Sequence, residues 1–532
     1  MAKNFITFAT LFLLFLTLHV YGGDSIGTFT KFTSCSQLPH PKACYSLTQN
    51  ADPLYAGGKV KSGFREFNIQ GAMSGFRRVH VEVAAVDVAK FDSRTRGAWD
   101  DCVALGEETI EHLRNSVENP SSEETQTWLS AAAANQQTCA DGFFDLGLIP
   151  PPSMANLLSS NITDLLSNSL AVNVPEPTIS GRNRKLFSVG GGDGNDDLFP
   201  EWLSDDDSRR LLRSVSVKAN LVVAKDGSGN YKTIKEALSH VSGKRRGNRR
   251  FVIYIKAGVY KENVEVKKSM KNLMFVGDGI DRTIITGKRS VKDGWTTFRS
   301  ATFAVAGKGF IAKGMTFQNT AGAMKHQAVA MRSDSDMSVF YRCSFKGYQD
   351  TLYVHSQRQF YRECDIYGTV DFIFGDGVVV LQNCKIYVRK PMRNQKNTVT
   401  AQGRSDPNEN TGISIHRSVI KAASDFRSSQ GKIKTFLGRP WKRYSRTVFM
   451  RSNLGGLIAP AGWLKWNGNF ALKTLYYGEY SNTGAGSSTK RRVKWGGYHV
   501  MSSSMARKFT VGKFLVGNSW IPVSRVPFTS NL

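Results

Sequence analysis

The feature that most constrains the fold of this chain is a repeat of about twenty residues in its C-terminal half. Three short segments rich in aromatic and aliphatic residues each contain one cysteine, and these cysteines, Cys343, Cys364 and Cys384, are 21 and 20 residues apart. Equal phase is expected when each repeat forms one coil of a parallel β-helix and stacks on the coil before it. An antiparallel β-sandwich is the alternative, but its hairpins would not place equivalent residues at a constant interval.

The same period predicts which polar side chains meet on one face of the stack. Asp350 and Asp371 are 21 residues apart, and Gln327 precedes Gln349 by 22. Residues one period apart lie on adjacent strands, about 4.8 Å apart. We therefore expect these four residues to occupy three successive coils. Two carboxylates this close cannot both ionise freely, so one pKa should rise and give an acid beside a base or nucleophile.

Stacking also brings the three cysteines of the repeat within reach of one another. Cys364 and Cys384 on adjacent coils would meet the Cα separation of a disulfide, about 4.4–6.8 Å. Cys343 and Cys364 fit the spacing equally well. Whichever pair forms, one cysteine of the three stays unpaired.

The region from residue 24 to 178 has the periodicity of helices. Apolar residues recur three or four positions apart between Trp99 and Val117, which places them on one helix face. Several such segments joined by short loops predict an all-α four-helix-bundle domain. Its four cysteines allow three pairings, and Cys35–Cys44 with Cys102–Cys139 would link near neighbours and successive helices.

The N-terminus predicts a secreted protein. Lys3 precedes an apolar stretch of signal-peptide length, and small residues follow it, so we interpret residues 1–23 as a removable signal peptide. No later apolar run has transmembrane length, so no membrane association is expected. Secretion makes disulfides expected. Asn161 begins a glycosylation sequon, Asn-Ile-Thr.

Residues 179–213 have the composition of a flexible linker, with runs of glycine and aspartate. Basic clusters flank these runs at Arg184-Lys185-Leu186 and Arg209-Arg210-Leu211. Basic clusters in a flexible linker of a secreted protein are accessible to proteases. We therefore predict processing at one of the two sites by a subtilisin-like protease, which would release residues 214–532.

Charge is divided unevenly between the two halves of the chain. Residues 1–213 carry 18 basic and 25 acidic side chains, whereas residues 214–532 carry 53 basic and 18 acidic ones. A domain this basic favours a polyanionic partner. Nucleic acid is the general interpretation of such a charge, but secretion argues against nucleic acid and favours an acidic extracellular polysaccharide.

Five motifs in the C-terminal half resemble one known family. They are Gly258-Val259-Tyr260-Lys261-Glu262, Gln327-Ala328-Val329-Ala330, Gly347-Tyr348-Gln349-Asp350-Thr351-Leu352, Gly368-Thr369-Val370-Asp371-Phe372-Ile373-Phe374-Gly375 and Leu437-Gly438-Arg439-Pro440-Trp441. In this order they resemble the plant pectin methylesterases (pectinesterases) that carry an inhibitor-like pro-region. The resemblance covers residues 214–532, and more loosely residues 24–178 through the four cysteines. It implies a right-handed parallel β-helix that hydrolyses methyl esters of cell-wall pectin to pectate and methanol.

The resemblance also implies catalytic roles, residue by residue. Asp371 resembles the nucleophile, and Asp350 resembles the proton donor that later acts as base. Gln349 and Gln327 are similar to the amides that stabilise the oxyanion of the transition state. Arg439 resembles the residue that holds the nucleophile.

Substrate-binding positions are implied in the same way. Thr297 and Trp441 resemble residues that contact the polysaccharide, with Trp441 as a platform for a sugar ring. Gln327 and Arg439 are implied to contact substrate as well. The implied partners are methyl-esterified pectin and an inhibitor, either a separate protein or the chain's own pro-region.

Three further expectations complete the comparison with the family. The family's disulfide in this region corresponds to Cys364–Cys384. Asp376 stands where the family pattern has a neutral residue, so we expect an added negative charge near the cleft. His326 and His355 lie near the motifs, and we interpret both as structural or surface residues.

Ester hydrolysis by carboxylates is consistent with what the sequence lacks. It contains no G-x-S-x-G motif, so a serine hydrolase has no support, whereas an aspartate can attack covalently. No metal or organic cofactor is required for such a reaction. The rival interpretations are another β-helix enzyme acting on pectin, a polygalacturonase or a calcium-dependent lyase, and a catalytically inactive pectin-binding or inhibitor protein.

Overall fold

The computed structural model describes residues 34–49, 63–119, 122–173, 219–244 and 249–532. The predicted signal peptide, residues 1–23, and both predicted protease sites, Arg184-Lys185-Leu186 and Arg209-Arg210-Leu211, lie outside these residues. The described residues form a helical unit followed by a β unit. Within them, no helix combines the length and the apolar character needed to cross a membrane.

The helical unit is the predicted four-helix bundle with one short additional helix. Its helices are α1 (Pro41–Gln49), α2 (Phe64–Ala84), α3 (Ser93–Glu118), α4 (Ser122–Asp145) and α5 (Ser160–Asn173). Asp92 caps α3 by accepting hydrogen bonds from the backbone N–H groups of Arg94 and Thr95. Trp99 and Leu113, on the predicted apolar face of α3, are buried in the core of the bundle.

Both disulfides predicted for the bundle are present. Cys35 and Cys44 have Cα atoms 5.5 Å apart and join a short N-terminal turn to α1. Cys102 and Cys139 have Cα atoms 4.7 Å apart and join α3 to α4. Asn161 of the sequon is exposed near the start of α5.

The β unit consists of three parallel sheets, and each complete coil contributes one strand to each sheet. Sheet 1 contains β1 (Leu221–Val223), β2 (Phe251–Ile255), β5 (Leu273–Gly277), β8 (Ile311–Lys313), β11 (Ser338–Tyr341), β14 (Arg358–Arg362), β17 (Val378–Gln382), β20 (Gly412–His416), β23 (Arg446–Met450), β25 (Tyr476–Tyr480) and β26 (Tyr498–Val500). Sheet 2 contains β4 (Val264–Val266), β7 (Phe303–Val305), β10 (Met331–Ser333), β13 (Leu352–Tyr353), β16 (Ile373–Gly375), β19 (Asn397–Gln402) and β22 (Thr435–Gly438). Sheet 3 contains β3 (Gly258–Lys261), β6 (Thr283–Gly287), β9 (Thr316–Asn319), β12 (Ser344–Lys346), β15 (Asp365–Gly368), β18 (Lys385–Val388), β21 (Val419–Ala422) and β24 (Asn453–Leu454).

This arrangement is the predicted right-handed parallel β-helix, in which crossover connections have the hand that a right-twisted strand favours. Helix α6 (Ile234–Lys244) packs at its N-terminal end, and the short helices α7 (Ser503–Arg507) and α8 (Val511–Phe514) follow the last strand. Short 3-10 segments are Cys35–Gln37, Pro152–Met154, Val291–Asp293, Phe298–Ser300, Ala323–Lys325, Ser424–Ser429, Gly517–Ser519 and Ile521–Ser524.

The interior of the coil stack is filled by ladders of large apolar side chains. The rings of Phe340 and Tyr361, on adjacent coils, stack with centroids 4.8 Å apart, and Phe317 stacks on Phe345 at 5.6 Å. Burying one such ring contributes roughly 1.5–3 kcal/mol. Since each ring is repeated at the same phase, the hydrophobic core fixes the register of one coil on the next.

The predicted period holds only in the middle of the helix. Val339 pairs with Phe360 and Phe360 with Val380, so these coils contain 21 and 20 residues. Val380 then pairs with Ser414, a step of 34 residues. The additional residues lie in loops between strands, so the stacking is kept although the sequence spacing is not.

The three cysteines of the repeat occupy equivalent positions on successive coils, but no disulfide joins them. Cys343, Cys364 and Cys384 are all free and fully buried. The prediction of a Cys364–Cys384 bond is therefore wrong for this structure. Each sulfur instead contacts a carbonyl oxygen of the preceding coil; for Cys364 and the carbonyl oxygen of Phe340 the distance is 3.3 Å. Burial raises the pKa of the Cys364 and Cys384 thiols well above the ordinary value, which keeps them unreactive.

A thiol titration of the denatured, non-reduced chain should give three thiols per molecule, because four of the seven cysteines are in disulfides. The variant Cys384→Ser should then give two. A Cys364–Cys384 disulfide would produce the opposite change, from one thiol in the wild type to two in the variant. The native protein should react with none, since all three thiols are buried.

Candidate active site

Asp350 and Asp371 lie in the turns between sheet 3 and sheet 2, on adjacent coils. Each is two residues before a strand, and those strands pair Leu352 with Ile373. The backbone N–H of Asp350 donates to the carbonyl of Val370 at 3.1 Å. Both aspartates have left-handed backbone conformations, with φ of 60° and 51°. The structure therefore brings together the two carboxylates that the period places one above the other.

Asp371 is held as a carboxylate by a set of hydrogen-bond donors. Arg439 donates from Nη2 to Oδ2 at 2.6 Å, and from Nε to Oδ1 at 2.9 Å and to Oδ2 at 3.0 Å. The hydroxyl of Thr398 donates to Oδ1 at 2.6 Å. Asp371 is only 5% exposed, and a buried charge with this many donors is favoured in its ionised form.

Asp350 has the opposite electrostatic environment. Burial raises the pKa of Asp350 well above its usual range, and the negative charges of Asp371 and Asp145 raise it further, while Arg439 opposes them. Asp350 therefore keeps its proton where Asp371 is ionised. Two carboxyl groups whose environments drive their protonation apart can serve as proton donor and nucleophile.

Gln327 and Gln349 are also brought to this corner. The backbone N–H of Ala328 donates to the carbonyl of Gln349 at 3.3 Å, so the two glutamines lie on neighbouring coils. Both are partly exposed and precede buried positions of sheet 2. Their amide groups are the uncharged donors that sequence analysis places beside the aspartates.

Aromatic side chains form the outer surface of sheet 2 next to the aspartates. Tyr353 and Phe374 stack with ring centroids 4.2 Å apart, and Trp441 packs edge-on against Phe374 at 5.9 Å. Trp466, 37% exposed, lies over the guanidinium of Arg439 at 4.3 Å. The surface beside the carboxylates is thus suited to pyranose rings, with Trp441 at the position predicted for it.

Helix α4 of the helical unit covers this surface. The hydroxyl of Thr138 is 2.9 Å from Nε2 of His355 and 3.2 Å from the Tyr353 hydroxyl. Lys442 donates to Asp141 at 2.8 Å. At the end of the helix, Asp145 accepts from the backbone N–H of Thr297 at 3.3 Å. Thr297, predicted to contact substrate, is therefore in contact with the helical unit.

A second set of contacts fastens the helical unit at the edges of the surface. Asp101 of α3 is ion-paired with Arg299 and accepts from the Thr296 hydroxyl at 2.6 Å. On the other side, Asn410 donates to the Thr127 hydroxyl at 3.0 Å. Burial raises the pKa of Asp101, and raises that of Asp145 to about 6.

His355 is 1% exposed and lies between the two units, with Nδ1 2.8 Å from Asp334. This placement agrees with the structural role that we expect for it. His326 is partly exposed in a turn with φ of 57°.

Asp376 does not add a free charge to the cleft, contrary to the sequence expectation. It is 5% exposed and accepts from Gln402 at 2.8 Å and from the Thr411 hydroxyl at 2.5 Å. Burial raises the pKa of Asp376, and burial together with repulsion from Asp376 raises that of Glu409 well above its usual range. The departure from the family pattern is absorbed by an interior pair of carboxyl groups.

Thr398 is the residue at this site that sequence analysis missed. It lies 27 residues after Asp371, because the intervening loop lengthens the coil beyond the 21-residue period. Only the register of β16 against β19 identifies it. Among the described residues, no group of three His, Cys, Asp or Glu side chains is placed to hold a metal ion.

Comparison with known proteins gives two family matches. Residues 220–518 match the family model described as Pectinesterase, and residues 32–172 match Plant invertase/pectin methylesterase inhibitor. The chain is 53% identical to Pectinesterase 2 of Citrus sinensis over 506 residues, and 52% identical to Probable pectinesterase/pectinesterase inhibitor 17 of Arabidopsis thaliana over 505 residues. Both alignments cover 94% of this chain and 94% of the relative.

A solved structure of a pectin methylesterase from carrot is similar to the β unit. It is 57% identical in sequence, with a TM-score of 0.59, and the match covers 60% of this chain and all of that one. A deglycosylated pectin methylesterase from Aspergillus niger matches at 30% identity with a TM-score of 0.50, over 58% of this chain and 97% of that chain.

The contact between the two units should weaken as pH rises. Because the pKa of Asp145 is raised to about 6 in the docked state, docking takes up a proton, and this contribution is complete below the ordinary Asp value and lost above about pH 6. For Asp145 alone, affinity should fall on the order of 100-fold between roughly pH 4 and pH 6. Calorimetry with separate residues 24–178 and 214–532 measures this fall.

Asp145→Asn should reduce that pH dependence, whereas Asp87→Asn, an exposed residue between α2 and α3, should leave it unchanged. An affinity that increases with pH would contradict the assignment.

Proposed function

This chain belongs to the pectinesterase family and removes methyl esters from pectin, and we propose that Asp371 is its nucleophile and Asp350 its general acid and base. The observation that carries this proposal is the asymmetry of the two carboxyl groups. Asp371 is neutralised by Arg439, whereas burial and the charge of Asp371 keep Asp350 protonated. One group is therefore ready to attack and the other to donate a proton.

The first half of the reaction forms an acyl-enzyme. A carboxylate oxygen of Asp371 attacks the C6 carbonyl carbon of a methyl galacturonate residue, and the carbonyl becomes a tetrahedral oxyanion. The side-chain amides of Gln349 and Gln327 donate to this oxyanion. When it collapses, the bond to methoxide breaks, and Asp350 gives its proton to the leaving oxygen to form methanol.

The second half of the reaction regenerates the enzyme. Asp350, now a carboxylate, takes a proton from water, and the resulting hydroxide attacks the anhydride formed with Asp371. Cleavage releases the galacturonate carboxylate and restores Asp371 as an anion beside Arg439. Every proton is returned, so the chemistry is complete with the side chains of the chain and water.

The substrate is bound on the aromatic surface of sheet 2 in this proposal. Trp441 supplies a platform for one sugar ring, and Thr297 and Arg439 contact the chain beside the scissile ester. The strongly basic composition of residues 214–532 attracts the carboxylates that each turnover creates. This charge favours retention on a pectin chain after the first reaction.

The rival activities fit this geometry less well. A lyase that depends on calcium needs a cluster of oxygen ligands, whereas Asp371 is engaged by Arg439. A catalytically inactive binding protein has no need for two buried carboxyl groups of opposed protonation. Release of methanol without shortening of the polysaccharide separates the esterase from a polygalacturonase or a lyase.

Asp371→Asn in residues 214–532 should abolish methanol release from methylated pectin, by at least about 10³-fold, because an amide cannot act as the nucleophile. Gln349→Ala should lower kcat by about 10²–10³-fold through the loss of one oxyanion donor. Asp365→Asn is a matched control on the same coil but in sheet 3, and it should remain active. Full activity of Asp371→Asn would rule out the mechanism.

The helical unit acts as an internal inhibitor in this proposal. It resembles pectin methylesterase inhibitors, and α4 lies on the surface proposed for the substrate. The chain is secreted to the cell wall after removal of residues 1–23. A subtilisin-like protease then cuts at Arg184-Lys185-Leu186 or Arg209-Arg210-Leu211 and allows the helical unit to leave.

The full chain should therefore release methanol much more slowly than residues 214–532, and addition of residues 24–178 should inhibit the latter. Asp141→Lys reverses the ion pair with Lys442, so it should increase the activity of the full chain. Asp87→Lys makes the same charge change at an exposed loop and should not. Equal activity of the full chain and residues 214–532 would show that the helical unit does not inhibit.

A further inference from the structure

Thr398 lies directly beside Asp371 on the following coil. The strands β16 and β19 pair Ile373 with Thr400, and this register puts Thr398 level with Asp371. Thr398 is fully buried. It therefore cannot touch a substrate, and anything it contributes to the reaction acts through Asp371.

The hydrogen bonds of Thr398 determine the direction of its hydroxyl proton. The backbone N–H of Asp371 donates to the Thr398 hydroxyl oxygen at 2.9 Å. An N–H group can only donate, so the hydroxyl accepts there and its own proton is directed elsewhere. The carboxylate oxygen Oδ1 of Asp371, at 2.6 Å, receives it.

Thr398 and Arg439 hold the carboxylate from two different coils. Arg439 Nη2 donates to Oδ2 at 2.6 Å, and Nε is shared between the two oxygens. Thr398 alone supplies a donor that engages only Oδ1. Without it, the carboxylate group could turn about its Cβ–Cγ bond while keeping its contact with the guanidinium.

The same hydroxyl supports the backbone turn at Asp371. A left-handed conformation, here with φ of 51°, costs on the order of 1 kcal/mol for a residue other than glycine. It also turns the N–H of Asp371 away from the strand hydrogen bonds, and the Thr398 hydroxyl satisfies that buried donor.

We propose that Thr398 is the positioning residue of this esterase, which fixes both the backbone turn and the carboxylate plane of Asp371 for attack on the ester. The inference rests on the proposed role of Asp371 as nucleophile. An oriented nucleophile reacts faster at unchanged substrate affinity, because orientation contributes to the transition state and not to binding. Thr398 also favours the ionised form of Asp371 by donating to it.

The test compares Thr398→Val with wild type in residues 214–532. The carrot structure matches this part of the chain over its full length, so a β unit of this family folds without a helical partner. We expect kcat to fall by roughly 10-fold to 100-fold, the effect of one hydrogen bond to a charged group, while KM is unchanged. The acidic limb of the pH–rate profile should move to higher pH, since the carboxylate has lost a donor.

Thr398→Ser keeps the hydroxyl and should restore both kcat and the profile. Thr400→Val is the matched control: Thr400 is equally buried on the same strand, but its hydroxyl donates to the carbonyl of Leu437 at 2.9 Å. It should lower the melting temperature by a similar amount without moving the pH profile. If Thr398→Val does not fold, Thr398→Cys, with its weaker donor, should give the same shift of the profile in a smaller degree.

A wild-type pH profile and kcat in folded Thr398→Val would overturn the inference, as would the same profile shift in Thr400→Val. Failure of the underlying mechanism is measured separately, because it requires Asp371→Asn to remain active. An inactive Asp371→Asn together with an unaffected Thr398→Val would reject the positioning role alone.

Discussion

The stacking of one coil on the next is the constraint on which the site depends. Parallel hydrogen bonds and ladders of buried rings fix the register, so the turn that carries Asp350 must lie against the turn that carries Asp371. The fold therefore forces two carboxyl groups into a shared, largely dry corner. Their repulsion is resolved by unequal surroundings: Arg439 and Thr398 serve one group, and a proton serves the other.

Much of this could be predicted from the sequence, because period is a direct consequence of coiling. The 21-residue spacing gave the β-helix and placed Asp350 over Asp371, and the family motifs identified Arg439 and Trp441. What could not be predicted depends on loops or on the direction of side chains. Thr398 is hidden by a longer loop, and Cys364 and Cys384 stack at disulfide distance while their sulfurs point to carbonyl oxygens. Asp376 carries a charge in the sequence, but its burial depends on residues of distant strands.

The helical unit and the substrate require the same surface, and this explains the character of their contact. The contact combines an apolar face with isolated polar pairs, such as Asp141 with Lys442 and Asp101 with Arg299. A basic enzyme for an acidic polymer is complementary to an acidic helix bundle for the same electrostatic reason. Residues 1–213 carry an excess of acidic side chains and residues 214–532 an excess of basic ones, as that exchange requires.

Covering the site also changes the acid on which catalysis depends. The first cause of the raised pKa of Asp350 is burial, and Asp145, at the end of α4, contributes to it as well. Departure of the helical unit admits water and removes the charge of Asp145, and both changes lower the pKa of Asp350. The repulsion from Asp371 stays, because it is built into the register of the coils. The uncovered enzyme therefore keeps an acid that can both give its proton to methoxide and lose it at the pH of turnover, as a group that alternates between acid and base must.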